Sequence, residues 1–530
     1  MPVSKSIPSA GRASKFPIRQ MTILAICRIC EPIAFMSIFP YVYYMVEDFG
    51  IAKKESEISI YAGLLTSAFT IAEFSAGIPW GKVSDVIGRK PVILIGLAGT
   101  ALSMMMFGLA PNFPVALLAR ALGGLLNGNM GVLQTTIAEM ITDKSQQPRA
   151  YTIMPFVWCL GSILGPALGG ALARPAISYP SIFTADSIWA RFPYLLSNLI
   201  CTIIIIFGVT IGILFFEETH RVKKYRRDPG LEAGKWIIKN ISVWKSIPLP
   251  LTTKTTQNDN LSETTSLLHQ NENTNHSCSS AEPSIENTND NHTVSRVFTK
   301  QVITNIVCFG ILAYHTMALD SMLPIFLSYP SPLNKSSWSM PFKFSIGYGL
   351  STKEIGVILS FQGVYSMFAN VLLFPILARR LGALSLFRVI SISYPVLYFL
   401  IPYFSLLPPS LNYLGIYLIA VWKCTFSTLA YPSNAIMLAN SAPSFLSLGI
   451  INGVAASTAS LSRAFGPTIS GFLTSIGQNT GYSGLAWWCC CLISLTGAVL
   501  CLYLRDEDNS PYLDEKIDSE SVINVHEVCP

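Results

Sequence analysis

The sequence predicts an all-α membrane protein: twelve transmembrane helices in two pseudo-symmetric six-helix bundles. Three observations carry that expectation. Of 530 residues, 51% are hydrophobic and 12% charged, about half the ~25% charged share of a soluble domain. Twelve apolar segments are each about long enough to cross a ~30 Å hydrocarbon core as a helix. A polar insert at 217–300 divides them six and six.

The segments run 21–46, 58–80, 92–110, 114–137, 151–173 and 192–216, then 301–327, 355–378, 384–406, 411–439, 445–476 and 484–504. They define an N-terminal tail (1–20), a first bundle (21–216), a linker (217–300), a second bundle (301–505) and an acidic tail (506–530). The N-terminal tail is basic and shows no cleavable signal, so the first span serves as an uncleaved anchor. Lys5, Arg12, Lys15 and Arg19 precede the first span, Lys82, Arg89 and Lys90 follow the second, and Arg379 and Arg380 follow the eighth. A further basic run, Arg221 to Arg227, follows the sixth. All fall on one side if the spans alternate, whereas the loop carrying Glu47, Asp48, Glu55 and Glu57 is net acidic. The positive-inside rule then puts both termini in the cytoplasm.

The middle of the linker is rich in Asn, Thr and Ser, a composition that cannot bury a core, while its basic start suits an anionic lipid surface. Glu263, Leu267 and Leu268 form an acidic dileucine pattern, which a sorting adaptor could read for delivery to a vacuole or lysosome-like membrane. The plasma membrane and endoplasmic reticulum are the alternatives. Asn334-Lys-Ser, in the loop before the eighth span, is a glycosylation sequon on the non-cytoplasmic side.

Other classes find no support. The twelve cysteines lie mostly inside apolar runs and form no disulfide framework. Cys27 and Cys30 sit within the first span, where small residues pack, so no metal or cofactor is expected. There is no phosphate-binding loop or nucleophile elbow, which argues against ATP drive and against an enzyme. The net charge of +6 is gathered in loops and reads as topology, with no nucleic-acid partner.

Charges inside the spans are expensive and need a partner or an aqueous cavity. Arg28 and Glu31, three apart, share one helical face just before Pro32. Glu73 lies in the second span. Arg120, Gly124 and Gly128 recur once per turn in the fourth. His315 and Asp320 lie in the seventh, Lys423 in the tenth and Arg463 in the eleventh. Arg28, Glu31, Glu73, Arg120, His315, Asp320 and Lys423 are the candidates to meet a small-molecule substrate and protons. In the fifth span Gly161, Gly165 and Gly169 make a groove for close helix packing, with Pro166 as a bend and Gly170 beside it. Gly466, Pro467 and Gly471 echo this in the eleventh, as two parallel repeats require.

The stretch 77–91 reads Gly-Ile-Pro-Trp-Gly-Lys-Val-Ser-Asp-Val-Ile-Gly-Arg-Lys-Pro and is expected to be a tight basic turn between two spans. Asp85 there can cap or clamp a neighbouring helix end. Gly81, Asp85, Gly88, Arg89 and Lys90 fit the Gly-x-x-x-Asp-x-x-Gly-Arg-Lys/Arg signature, so the chain resembles the major facilitator superfamily. Gly161 to Gly170 resembles the antiporter signature Gly-x-x-x-Gly-Pro-x-x-Gly-Gly, and Arg120 with Gly124 the fourth-helix motif. The second turn keeps Arg379, Arg380 and Gly382 but lacks the acidic residue. With Glu217–His220, these features look like the twelve-span drug/proton antiporter branch, similar to fungal relatives of plant zinc-induced facilitator-like carriers. The resemblance implies the major facilitator fold, a proton-coupled antiporter working by alternating access, coupling through Arg120, and gating by the 81–90 signature. The alternatives are a uniporter or symporter of organic solutes, and a non-transporting sensor whose output is the linker.

Overall fold

The computed structural model describes residues 16–127, 130–141, 147–184, 186–220, 222–245, 298–330, 339, 341–345, 347–441 and 445–505. Gly128, Glu263, Leu267, Leu268 and Asn334 lie outside the described residues. The first half comprises α1 (Ile18–Ser37), α2 (Ile58–Ile87), α3 (Arg89–Gly108), α4 (Phe113–Leu126, resuming at Met130–Met140), α5 (Gln147–Leu172) and α6 (Leu195–Phe215). The second comprises α7 (Lys300–Ser328), α8 (Thr352–Leu381), α9 (Ala383–Phe404), α10 (Asn412–Asn440), α11 (Phe445–Thr480) and α12 (Leu485–Leu502). Among the described residues ten helices are long and apolar enough to cross a membrane. The Gly-, Ser- and Pro-rich α5 and α11 complete the twelve.

Two expected boundaries move. The first span was expected to run to residue 46, but α1 stops at Ser37 and a short helix follows at Val42–Asp48. Pro40 lies in the break; it has no N–H to donate and its ring crowds the preceding turn. The tight turn expected over 77–91 is confined to Gly88. α2 continues through Gly77, Gly81 and Asp85 to Ile87, and the chain breaks only at Gly88, whose φ of 111° favours glycine. Gly382 (φ 76°) makes the same break between α8 and α9.

The packing has an internal two-fold. In the first half α1 packs on α5 and α6, α2 on α4, and α3 on α4 and α6. Adding six to each label gives the second half: α7 on α11 and α12, α8 on α10, and α9 on α10 and α12. The halves meet along α2–α11 and α5–α8, and the meeting points are themselves equivalent. A Cβ on Gly63 would strike the carbonyl oxygen of Pro467, and one on Gly356 that of Pro166. Likewise Gly471 faces the Ser59 carbonyl and Gly170 the Thr352 carbonyl. Backbone therefore lies directly on backbone at both crossings, which only small residues permit.

The cross-half hydrogen bonds among the described residues lie in the half of the molecule nearer the acidic 47–57 loop. Tyr44 donates to the Leu350 carbonyl. Ser56 Oγ donates to Asn479 Oδ1 (2.8 Å), the Thr468 N–H to Ser67 Oγ (3.2 Å), Lys353 Nζ to the Ser178 carbonyl (3.0 Å) and Ser360 Oγ to the Ile163 carbonyl (3.1 Å). The buried apolar core follows the same division. One cluster, including Tyr43, Leu65, Leu323 and Tyr329, runs through both halves. Toward the basic turns this cluster continues only in the second half, to Leu384 and Leu504, while Met21, Ile93 and Leu133 belong to a first-half cluster and Val302, Leu438 and Ile451 to a separate second-half one. The two bundles are thus fused at the acidic-loop end and separate at the basic-turn end.

If the two crossings are equivalent, Gly63→Leu and Gly356→Leu should each destabilise by about 1–3 kcal/mol, because neither backbone can yield to the added volume. Gly77→Ala, in open helical space, should be neutral or gain up to ~1 kcal/mol. Thermal unfolding of the purified protein in detergent measures all three. A large difference between the first two would break the equivalence.

Candidate functional site

Each half carries a carboxylate on its first helix and a cation on its fourth, and the two halves use them differently. In the second half Lys423 on α10 forms an ion pair with Asp320 on α7 and donates to Gln362 Oε1 on α8 at 3.0 Å. Asp320 keeps a third of its side chain exposed (33%), whereas Lys423 is buried. Gln362 Nε2 is buried without a partner. In the first half Glu31 is taken by Arg28, one turn away on α1, in a buried pair.

Arg120, the fourth-helix cation of the first half, therefore lacks a carboxylate in contact. It is buried over the ring of Phe69, 4.5 Å from the centroid, with Phe35 at 5.8 Å and Phe107 at 6.0 Å. Its Nε reaches only the Leu65 carbonyl at 3.4 Å, and one terminal nitrogen has no partner. Aromatic faces attract a cation but do not neutralise it. Glu73 on α2 lies in the combined field of Arg463, Arg28 and Arg120, with Arg463 the strongest of the three and Arg120 the weakest. Arg463 lies on α11, so this attraction spans the seam between the halves. Arg463 donates to Ser460 at 3.1 Å and forms no ion pair among the described residues. Glycine packing brings Glu73 here: Gly124 on α4 lies against the Phe69 carbonyl and the Glu73 backbone.

His315 does not join this set. Its Nδ1 is 2.9 Å from the Tyr398 hydroxyl, while that hydroxyl donates to the His315 carbonyl at 2.8 Å. With the single hydroxyl proton so used, Nδ1 must carry the proton in their mutual bond. The ring is buried edge-on to Tyr394 and faces α9. In this arrangement His315 ties α7 to α9.

The glycines expected to mediate packing divide between two partners. Gly161, Gly165 and Gly169 lie against Pro32, Ile33 and Ser37 of α1, whereas Gly170 and the Pro166 carbonyl face α8. Gly466 lies against Tyr314 and Ala318 of α7, and the Pro467 carbonyl against α2. Cys27 and Cys30 donate weakly to carbonyls of Gly208 and Ile204 on α6, as packing residues. Among the described residues no cluster could hold a metal.

At the basic turn the cap expected of Asp85 is supplied from elsewhere. Glu218, just after α6, accepts from the N–H groups of Arg89 (2.9 Å) and Lys90 (3.1 Å) at the start of α3. Those N–H groups have no helical partner and carry the positive end of the helix dipole, so a carboxylate is well placed there. A side chain at Gly88 would collide with that carboxylate. Asp85, whose side chain is 65% exposed, accepts from Arg89 Nη1 at 2.6 Å instead. Arg89 also reaches Ser84 Oγ (2.5 Å) and Glu139 (3.1 Å), and Lys90 reaches Asp228 (2.6 Å) and the Ile213 carbonyl (2.9 Å). Thr219 donates to Glu139 at 2.8 Å, so Glu217–His220 acts as a strap across the ends of α3 and α4. The second turn has the glycine break, but Arg379 and Arg380 are exposed.

Several members were invisible to sequence reasoning. Gly63 and Gly356 stand one turn after Ser59 and Thr352, a small-residue spacing that could have flagged them. Arg174, at the acidic-loop end, holds a left-handed backbone (φ 50°), unusual for a residue with a Cβ. It pairs with Asp48, approaches Glu47 (3.6 Å), donates to the Tyr194 hydroxyl (3.1 Å), and covers the ring of Tyr44, the residue that bridges to Leu350. No local pattern announces that cluster.

A family model described as Major Facilitator Superfamily matches residues 24–447. The chain is 50% identical to the major facilitator superfamily multidrug transporter mfsB of Aspergillus fumigatus, over 97% of this chain and 87% of that protein. It is 28% identical to Protein ZINC INDUCED FACILITATOR-LIKE 1 of Arabidopsis thaliana, over 87% of this chain and 84% of that one. Among solved structures, that of a D-xylose-proton symporter superposes with a TM-score of 0.62 at 12% identity, over 94% of this chain and 99% of the other.

Two predictions follow from these contacts. Lys423→Met strands the Asp320 carboxylate and should cost about 2 kcal/mol, a value discounted for its partial exposure. Adding Asp320→Asn should recover most of that loss in thermal unfolding; no recovery would mean that the pair is not the source. Asp228 is pulled below the usual carboxylate range: burial opposes this, but Lys90 and the N–H groups of Leu231 and Gly230 outweigh it. Because the folded value is depressed, its contribution is complete at neutral pH and is lost as pH falls through about 4 and below. Wild type should thus lose its stability advantage over Asp228→Asn only in that acid range, read from unfolding midpoints against pH.

Proposed function

This chain belongs to the Major Facilitator Superfamily, and from that premise we propose that it is a secondary active transporter exchanging protons for a small drug-like or metal-linked solute. That it is a multi-pass membrane protein of a transporter family follows from the match itself; proton-coupled antiport is the reading developed here. The observation that carries it is the seam. Glu73 on α2 lies in the field of Arg463 on α11, in the other half. Rocking the halves about the two backbone crossings changes the distance between those charges, so protonating Glu73 alters the balance of the open states. A proton can shift such an equilibrium only through differential affinity for its two members, and a cross-seam charge supplies it. Asp320, partly exposed beside Lys423, is the second proton or substrate group, and Arg120 adds to the positive field around Glu73.

The separation of the bundles at the basic-turn end supports an arrangement open on that side. Positive residues there make it cytoplasmic, with both termini on that face and the loop containing Asn334 opposite. Asp85 and Arg89 gate this face, and Arg174 with Asp48 and Tyr44 closes the other. The multidrug relative favours export of a foreign or toxic solute. The dileucine at Glu263, Leu267 and Leu268 favours a vacuolar membrane, reached through a sorting adaptor.

The test is flux in proteoliposomes bearing an imposed pH step, across a panel of cationic, zwitterionic and anionic solutes. A proton-driven flux should appear for wild type. It should lose its pH dependence in Glu73→Gln while solute binding persists. Flux indifferent to the pH step for every solute would sink the antiport reading.

A further inference from the structure

After α6 the chain does not leave the bundle. Residues Pro229–Lys245 form a helix whose first turns are seated on the last turn of α6. Gly230 lies against the Ile213 carbonyl, and Gly234 against the Leu214 carbonyl and the Phe215 ring. Because α6 ends at Phe215, this helix sits at the depth where hydrocarbon gives way to headgroups. At about 100° per residue, Gly230, Gly234, Ile237 and Ile238 share one apolar arc, and Trp236 stands on the flank beside Glu232. Lys235, Lys239 and Glu232 fill the opposite side. Trp236 is 65% exposed and Ile238 48%; just before them Val222 is 73% and Tyr225 81% exposed. Large apolar groups left uncovered in this way, with lysines beside them, are the composition of a helix lying in a membrane interface.

The charge is complementary to an anionic surface. Between 222 and 240 there are six cations, Lys223, Lys224, Arg226, Arg227, Lys235 and Lys239, against Asp228 and Glu232. Both carboxylates are already engaged, Asp228 by Lys90 and Glu232 by Arg227. We propose that Pro229–Lys245 is an interfacial anchor that binds anionic lipid headgroups of the leaflet on the basic-turn side, and that the Asp228–Lys90 pair ties that leaflet to the start of α3. The linkage is short: Lys90 stands next to Arg89, which holds Ser84, Asp85 and Glu139. Lipid composition thereby acts on the helix ends that the family signature organises.

The full-length protein reconstituted in vesicles of phosphatidylcholine, alone or mixed with phosphatidylserine, tests this without knowledge of any transported solute. Amide hydrogen exchange across 229–245 should slow on the order of tenfold in the anionic vesicles. Lys235→Gln with Lys239→Gln should abolish that gain and leave exchange in pure phosphatidylcholine unchanged. Equal exchange in both vesicles overturns the headgroup assignment. The difference in emission between wild type and Trp236→Phe should be quenched by lipids labelled near the headgroup more than by lipids labelled deep in the chain. A difference emission insensitive to either label overturns the interfacial seat. Protection that arises only on adding a soluble cell extract assigns the face to a protein partner and overturns the proposal equally.

Discussion

Two places where backbone rests on backbone hold the molecule together. Gly63 and Gly471 at one crossing, and Gly356 and Gly170 at the other, let α2 meet α11 and α5 meet α8 with no side chain between them. In a bilayer the hydrophobic effect does not drive helices together, since lipid tails are as apolar as leucine; close van der Waals contact does. Small residues at these points therefore decide where the two bundles can be joined. The join is confined to the acidic-loop end, and the shared core and the cross-half hydrogen bonds follow it there.

The intramembrane charges make sense against that geometry. A pseudo-two-fold would place carboxylate and cation alike in both halves, yet only the second half closes the pair, as Asp320 with Lys423. In the first, Arg28 takes Glu31, and Arg120 is left on an aromatic face with Glu73 at a distance. An uncompensated charge at mid-membrane costs several kcal/mol, so the imbalance concentrates electrostatic free energy at the seam. That is where a moving proton has most leverage.

The basic turn shows how a short motif depends on a remote strap. Gly88 breaks the helix, and the exposed N–H groups that follow are satisfied by Glu218, far along the chain. Arg89 and Lys90 then spend their charges on Ser84, Asp85, Glu139 and Asp228. The break recurs at Gly382 with no such carboxylate partner among the described residues, so the backbone fold of the turn and its electrostatic strapping are separable.

Much was legible in one dimension. The number of spans, their grouping in two sixes, the charged residues needing partners and the family signature all follow from composition and spacing, because partition into a bilayer is decided over a window of about 20 residues. The break at Gly88 and the packing role of Gly161, Gly165 and Gly169 were readable for the same local reason. The extent of α2 was not: Gly77 and Gly81 look like turn residues, but a long helix in lipid keeps its internal hydrogen bonds and tolerates them. Nor was the choice of partners. Glu218 in place of Asp85 at the cap, Tyr398 for His315, Lys423 for Asp320, and Arg174 for Asp48 are matters of which helices the fold sets side by side. Sequence spacing specifies which face of a helix a residue occupies; only tertiary packing brings a second face within hydrogen-bonding reach, since the interactions that select a partner act over a few ångströms between residues that can be hundreds apart in the chain.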